Sequence, residues 1–120
     1  MHGVKNKLES REILGVVYAA GCKECKMVYV GETKRTANQR IKEHKADTRN
    51  GHVDKSAIAE HAHMTGHEVH WDALVIEREQ GTRRRKVKEA WHIQLMIKKG
   101  GSMNQDCDVN LSRFWSDLVE

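Results

Sequence analysis

The stretch GVVYAAGCKECKMVYVG, Gly15 to Gly31, constrains this chain more than any other. Two short runs rich in valine and tyrosine flank a polar break that holds a Cys-x-x-Cys. β-Branched and aromatic residues fit a pleated, half-buried surface, so Ile13 to Ala20 and Met27 to Gly31 read as strands. Gly21 to Lys26 reads as the turn between them, and the pair is predicted to form an antiparallel hairpin. The hairpin contains both tyrosines of the chain, Tyr18 and Tyr29, and two of its three cysteines.

Beyond the hairpin, the apolar period lengthens. Thr36 to about Thr48 is predicted as a helix, with Thr36 as N-cap and Ala37 and Ile41 on its packed face. Asp54 to about Met64 is a second helix, capped by Asp54 or Ser56 and stopped at Thr65-Gly66-His67. Trp71 to Ile76 is apolar on both faces, which predicts a third strand at the centre of a small sheet. Thr82 to Lys99 is the longest helix, with Val87, Ala90, Trp91, Leu95 and Ile97 forming its stripe and Gly100-Gly101 ending it. The tail VNLSRFWSDLV has enough apolar residues to pack back as a short helix or turn. The expected fold is therefore α+β: a small three-stranded antiparallel sheet flanked by helices. At 120 residues the chain has room for one core, so residues 12–120 are read as one domain behind a polar leader, residues 1–11.

No apolar run reaches the length needed to cross a bilayer, and the first residues do not read as a signal peptide. An intracellular location is expected, nuclear in a eukaryote and otherwise cytoplasmic. In a reducing compartment a Cys-x-x-Cys points to metal or redox chemistry, not to a disulfide. The lone Cys107 reads as an ordinary small residue. The net charge of +4 favours a polyanionic partner.

Four groups of residues carry chemistry, and each has a plainer alternative. Cys22 and Cys25 on a tight turn can converge on one tetrahedral ion, and EHAHMTGH offers His61, His63 and His67 as the remaining ligands. His61/His67 and His63/His67 both have spacings that suit the histidine half of a Cys2His2 site. Alternatively, these are reduced surface thiols and scattered surface histidines. Tyr18 and Tyr29 on neighbouring strands can share one face, or simply pack in the core. Arg40 and His44 in RIKEH are four apart and share a helix face. There they supply a planar fork for phosphate oxygens and a proton carrier, or an ordinary solvated surface. Glu89, at the edge of the apolar stripe in RRRKVKEAW, could hold a hard divalent ion or balance the charge of its basic neighbours.

The order of these groups resembles the GIY-YIG nuclease family. Here the first motif stands as Val16-Val17-Tyr18 and the second as Tyr29-Val30-Gly31. Arg40, His44 and Glu89 fall where that family places its arginine, histidine and metal-binding glutamate. The segment Met103 to Asp106 resembles the one that brings an asparagine, here Asn104, to close the family's site. The cysteine pair between the tyrosine motifs, with EH…TGH later, resembles the endonuclease domain of Penelope-like retroelements and its structural zinc site. That resemblance implies Cys22, Cys25, His61 and His67 as zinc ligands and leaves His63 out. It also implies a metal-dependent DNA endonuclease with magnesium or manganese on Glu89, and a place in or beside a larger retroelement protein. Lys34, Arg35, Lys42, Lys45 and the run Arg83, Arg84, Arg85, Lys86 are the expected contacts to the DNA backbone. The rival readings are a catalytically silent, zinc-stabilised nucleic-acid-binding module and a small basic interaction domain without zinc.

Overall fold

The computed structural model describes residues 12–104. The leader and the tail, including Cys107, lie outside them. Strand β1 (Val16–Gly21) runs to β2 (Val28–Thr33); helices α1 (Ala37–Arg49) and α2 (Ala57–Thr65) follow, then β3 (Leu74–Arg78) and α3 (Thr82–Lys98).

The sheet has the order β2-β1-β3, and both pairings are antiparallel. The central strand is thus β1, not the third strand as its two-sided apolar pattern suggests. β1 is buried on both faces: Val16, Val17 and Tyr18 are all fully buried. β3 is an edge strand that starts three residues later than predicted, and its Leu74 is 58% exposed. The apolar residues just before it serve the core in another way. Ala73 is buried and Trp71 packs against the main cluster, but both belong to an extended segment outside the ladder. β1 itself begins at Val16 rather than Ile13, because Gly15 turns the chain at φ +76°.

Alternation along β1 divides the interior in two. Val16, Tyr18 and Ala20 pack with Ala37 and Ile41 of α1 and Ile58 of α2. Val17 and Val30 pack with Ile93 of α3. Helices therefore cover both faces of the sheet, as β1's two-sided burial requires. The α3 stripe is Val87, Ala90 and Ile93; Trp91 and Ile97, expected within it, are 45% and 39% exposed.

Local signals set the helix starts. Thr36 and Gln39 form a capping box at α1: the Thr36 hydroxyl accepts from the Gln39 N–H, and the Gln39 side chain accepts from the Thr36 N–H. Ser56, not Asp54, caps α2, and Gly66 ends that helix in the left-handed region at φ +76°.

After α3 the chain turns back along β2. The Val28 N–H donates to the Gly101 carbonyl at 2.7 Å, and the Met103 N–H donates to the Val28 carbonyl at 2.8 Å. Asn104 extends this pairing with its side chain. Its Oδ1 accepts from the Val30 N–H at 3.0 Å, and its Nδ2 donates to the Val30 carbonyl at 2.9 Å.

Candidate active site

Tyr29, Arg40, His44, Glu89 and Asn104 line one cavity of about 420 Å³. They come from β2, α1, α3 and the segment after α3, so only the fold brings them together. The far wall is built by residues 53–57, which lead into α2, and by Glu60. Nothing in the sequence singles out Asp54, Lys55 or Glu60 for this place, because all three are ordinary charged residues around a helix start.

Tyr18 is not on the cavity wall. It is fully buried, in a layer beneath Tyr29 and His44. Its ring lies 6.2 Å from that of Tyr29, and its hydroxyl is 3.1 Å from Nε2 of His44. Gly31 makes this arrangement feasible. A Cβ there would sit 2.6 Å from the Tyr18 hydroxyl and 2.8 Å from the Tyr29 ring. The glycine of the second motif is thus an absence of atoms at the point where both phenols converge.

The electrostatics of the pair are set by burial. Removal from water pushes the Tyr18 phenol well above its usual range, and the neighbouring Tyr29 pushes the same way. Arg40 pulls it down but does not prevail. Burial first, and Arg40 second, lowers the His44 ring to about 4, so it is neutral at physiological pH. Its other nitrogen, Nδ1, lies 2.8 Å from the Ser56 hydroxyl. Arg40 faces the cavity and pairs with Glu43 at 3.0 Å, while Glu43 also holds Arg35 at 2.7 Å.

A second cluster lies at the hairpin turn. Cys22, Cys25, His61 and His67 bring one ligand atom each to within 4.8 Å of one another, the only such group among the described residues. The Cys22 sulfur is 3.5 Å from Nδ1 of His67, and the Cys25 sulfur is 3.6 Å from Nε2 of His61. A tetrahedral zinc with bonds of about 2.3 Å to sulfur and about 2.0–2.1 Å to nitrogen separates such ligands by about 3.6 Å. The four residues fit that ion. Burial, then the nearby His67, lowers the His61 ring and favours the neutral form a metal requires. His63 faces elsewhere, with Nε2 3.1 Å from the Thr48 carbonyl of α1.

The sequence model of the GIY-YIG catalytic domain matches residues 14–99, well over half of the chain. The chain belongs to the GIY-YIG family. No curated protein and no solved structure matches it. GIY-YIG proteins are metal-dependent endonucleases acting on DNA, and the segments that resemble the family's tyrosine motifs lie on the paired strands β1 and β2.

Of the residues expected to meet DNA, Lys34, Arg35, Lys42, Lys45, Arg83, Arg84 and Lys86 are exposed. Arg85 is a correction. It is 3% exposed, and its Nε donates to Glu32 of β2 at 2.6 Å. Its Nη1 reaches the carbonyls of Glu79 and Gln80. These bonds, not a place in the apolar stripe, bury it, so it ties α3 to the sheet and is unavailable to a phosphate. Among the described residues no helix is long and apolar enough to cross a membrane.

Proposed function

We propose that this chain is a DNA endonuclease that nicks phosphodiester bonds in the cavity between α1, α2, β2 and α3. The observation that carries this reading is the convergence of Tyr29, Arg40, His44, Glu89 and Asn104 on one cavity, with Tyr18 hydrogen-bonded beneath it.

Arg40 offers its guanidinium fork to a phosphate oxygen. Tyr29 orients the phosphate or the attacking water. Because burial keeps the Tyr18 phenol protonated, it cannot act as a standing phenolate. It accepts the water's proton only as it passes its own to Nε2 of His44, which lies 3.1 Å away. Asn104 holds the cavity wall through its two bonds to Val30. Glu89 would hold the divalent ion; when bound, magnesium or manganese supplies charge neutralisation at the phosphate and the leaving oxygen.

Cys22, Cys25, His61 and His67 would hold a structural zinc. The ligands join the β1–β2 turn to α2, so the ion stiffens the hairpin that carries both tyrosines. The exposed basic residues, without Arg85, are the proposed backbone contacts, and nothing in them reads base sequence. The placement of the cysteine pair between the tyrosine motifs supports a role as the endonuclease part of a Penelope-like retroelement protein, acting on DNA inside the cell.

The test is plasmid nicking with and without magnesium or manganese. Wild type should nick. Glu89→Ala, Arg40→Ala and Tyr18→Phe should each lose at least about a hundredfold in turnover while remaining folded, the scale of losing one electrostatic contributor. A folded, zinc-loaded wild type that binds DNA yet never nicks it would identify a silent binding module instead.

A further inference from the structure

We propose that Ser56 is a positioning residue for the cleavage reaction. Its hydroxyl holds the buried ring of His44 in the tautomer that carries the proton on Nδ1 and leaves Nε2 bare toward Tyr18. The proposal rests on the nuclease reading for its effect on turnover, but its structural half stands apart from it.

Ser56 belongs to no motif of the family resemblance, and its residue type suggests only a helix cap. In the fold it does two things with one oxygen. Oγ accepts from the Ala59 N–H at 3.2 Å, which caps α2, and it lies 2.8 Å from Nδ1 of His44. Ser56 is 5% exposed and His44 is 1% exposed, so water does not compete for either partner. The cap bond to the first turn of α2 fixes where Oγ stands. His44 therefore has a rigid partner on one ring nitrogen and Tyr18 on the other.

Two proton arrangements satisfy these distances, and acid–base strength separates them. A phenol is a stronger hydrogen-bond donor than a neutral imidazole N–H, and an imidazole nitrogen is a stronger acceptor than a phenol oxygen. The Tyr18 O–H therefore donates to Nε2 and not to the Tyr29 hydroxyl, a weaker acceptor that also lies within hydrogen-bonding reach of Tyr18. The ring proton is left on Nδ1, where Oγ of Ser56 accepts it. This is also the arrangement the reaction needs, since only a bare Nε2 can take up the Tyr18 proton. Without the Ser56 oxygen, Nδ1 has lost its buried acceptor, and the ring is free to rotate or to move its proton to Nε2. Ser56 thus transmits the position of α2 to the reacting pair.

Serine at an N-cap also contributes to stability, so the test must separate cap from positioner. Glycine is nearly as good an N-cap as serine but has no hydroxyl, whereas alanine is a poor cap, and threonine keeps both cap and hydroxyl. Nicking kinetics are measured for wild type, Ser56→Gly, Ser56→Ala and Ser56→Thr, alongside melting temperatures. The His44 tautomer is read from its ring nitrogen-15 shifts in wild type and Ser56→Gly.

Ser56→Gly is expected to lose about tenfold to a hundredfold in kcat, with KM changed less than about twofold, the scale of a disturbed proton carrier, and with melting lowered less than in Ser56→Ala, which loses the cap as well as the hydroxyl. Ser56→Thr should recover most of that loss. Wild-type His44 should show the proton on Nδ1, and Ser56→Gly should show a mixture. Wild-type turnover in Ser56→Gly, with a deficit in Ser56→Ala alone, overturns the proposal and leaves Ser56 a cap only. A wild-type proton on Nε2, or a tautomer indifferent to Ser56→Gly, overturns it too. If wild type fails to nick at all, the nuclease reading falls, and the tautomer measurement still decides what Ser56 does.

Discussion

His44 combines near-complete burial with two hydrogen bonds, and that combination makes it sensitive to acid. Its ring titrates near 4 in the fold, against an ordinary value of 6.5. Between those values the unfolded chain binds the proton and the fold does not. Stability should therefore be fully present above about pH 6.5 and fall as pH drops toward 4, by on the order of 3 kcal/mol from this group. The readout is the difference between wild type and His44→Gln in chemical denaturation across pH, so that contributions from other groups cancel. Equal slopes would show that His44 is protonated in the fold. Gly31 sits at the opposite extreme, with no side chain at all. Gly31→Ala should displace the Tyr18 hydroxyl, since the added carbon would stand 2.6 Å from it. The expected result is a nicking defect as large as that of Tyr18→Phe, with a lower melting temperature from overpacking. The tyrosines, arginine, histidine and glutamate of the site were legible as residue types in order along the chain. The need for Gly31 is also visible as a motif letter, but its reason, a convergence of two rings, exists only in three dimensions. Ser56 was legible as a cap; its bond to His44 spans two helices, and no local pattern encodes it.

At the scale of elements, every strand and helix expected from periodicity within the described residues is present, and the differences lie where burial rather than pattern decides. β3 looks central from its composition, yet β1 is central because its neighbours on both edges are supplied by the fold. The run Arg83 to Lys86 looks uniformly solvated, but one turn of helix sends Arg85 inward while Arg83, Arg84 and Lys86 remain outside. Two variants separate these environments. Arg85→Ala leaves Glu32 partly buried beside an empty site, and the loss should be roughly 3–5 kcal/mol in denaturant unfolding. A loss below about 1 kcal/mol would mean the pair is solvated. Replacing Arg83, Arg84 and Lys86 together with alanine should leave stability almost unchanged. It should reduce the salt dependence of duplex DNA binding by roughly 0.9 in slope for every phosphate that is no longer neutralised. An unchanged slope would move the DNA-binding surface off α3.

At the scale of the whole molecule, the Cys/His cluster and the proposed active-site cavity are two ends of one frame. His61 lies on α2, five residues after the Ser56 that meets His44, while Cys22 and Cys25 close the hairpin that carries Tyr18 and Tyr29. Cys25→Ser should lose the bound zinc, measured as metal per chain, and lower the melting temperature, because a structural ion contributes folding free energy directly. Retained zinc in that variant would remove Cys25 from the ligand set. The cluster was legible from Cys-x-x-Cys and the histidine spacing; which histidines join it depended on the turn of α2, which points His63 at Thr48. Asn104 and the short segment before it have a further consequence. A sheet of three strands has two borders, and a bare border strand is an invitation for another chain to add itself. Along β2 that invitation is withdrawn at Val28 by backbone and at Val30 by an amide side chain imitating backbone. The residue that lines the proposed active-site cavity therefore also guards the strand of the second tyrosine against self-association, and a change at Asn104 made to probe chemistry would be felt as aggregation as well.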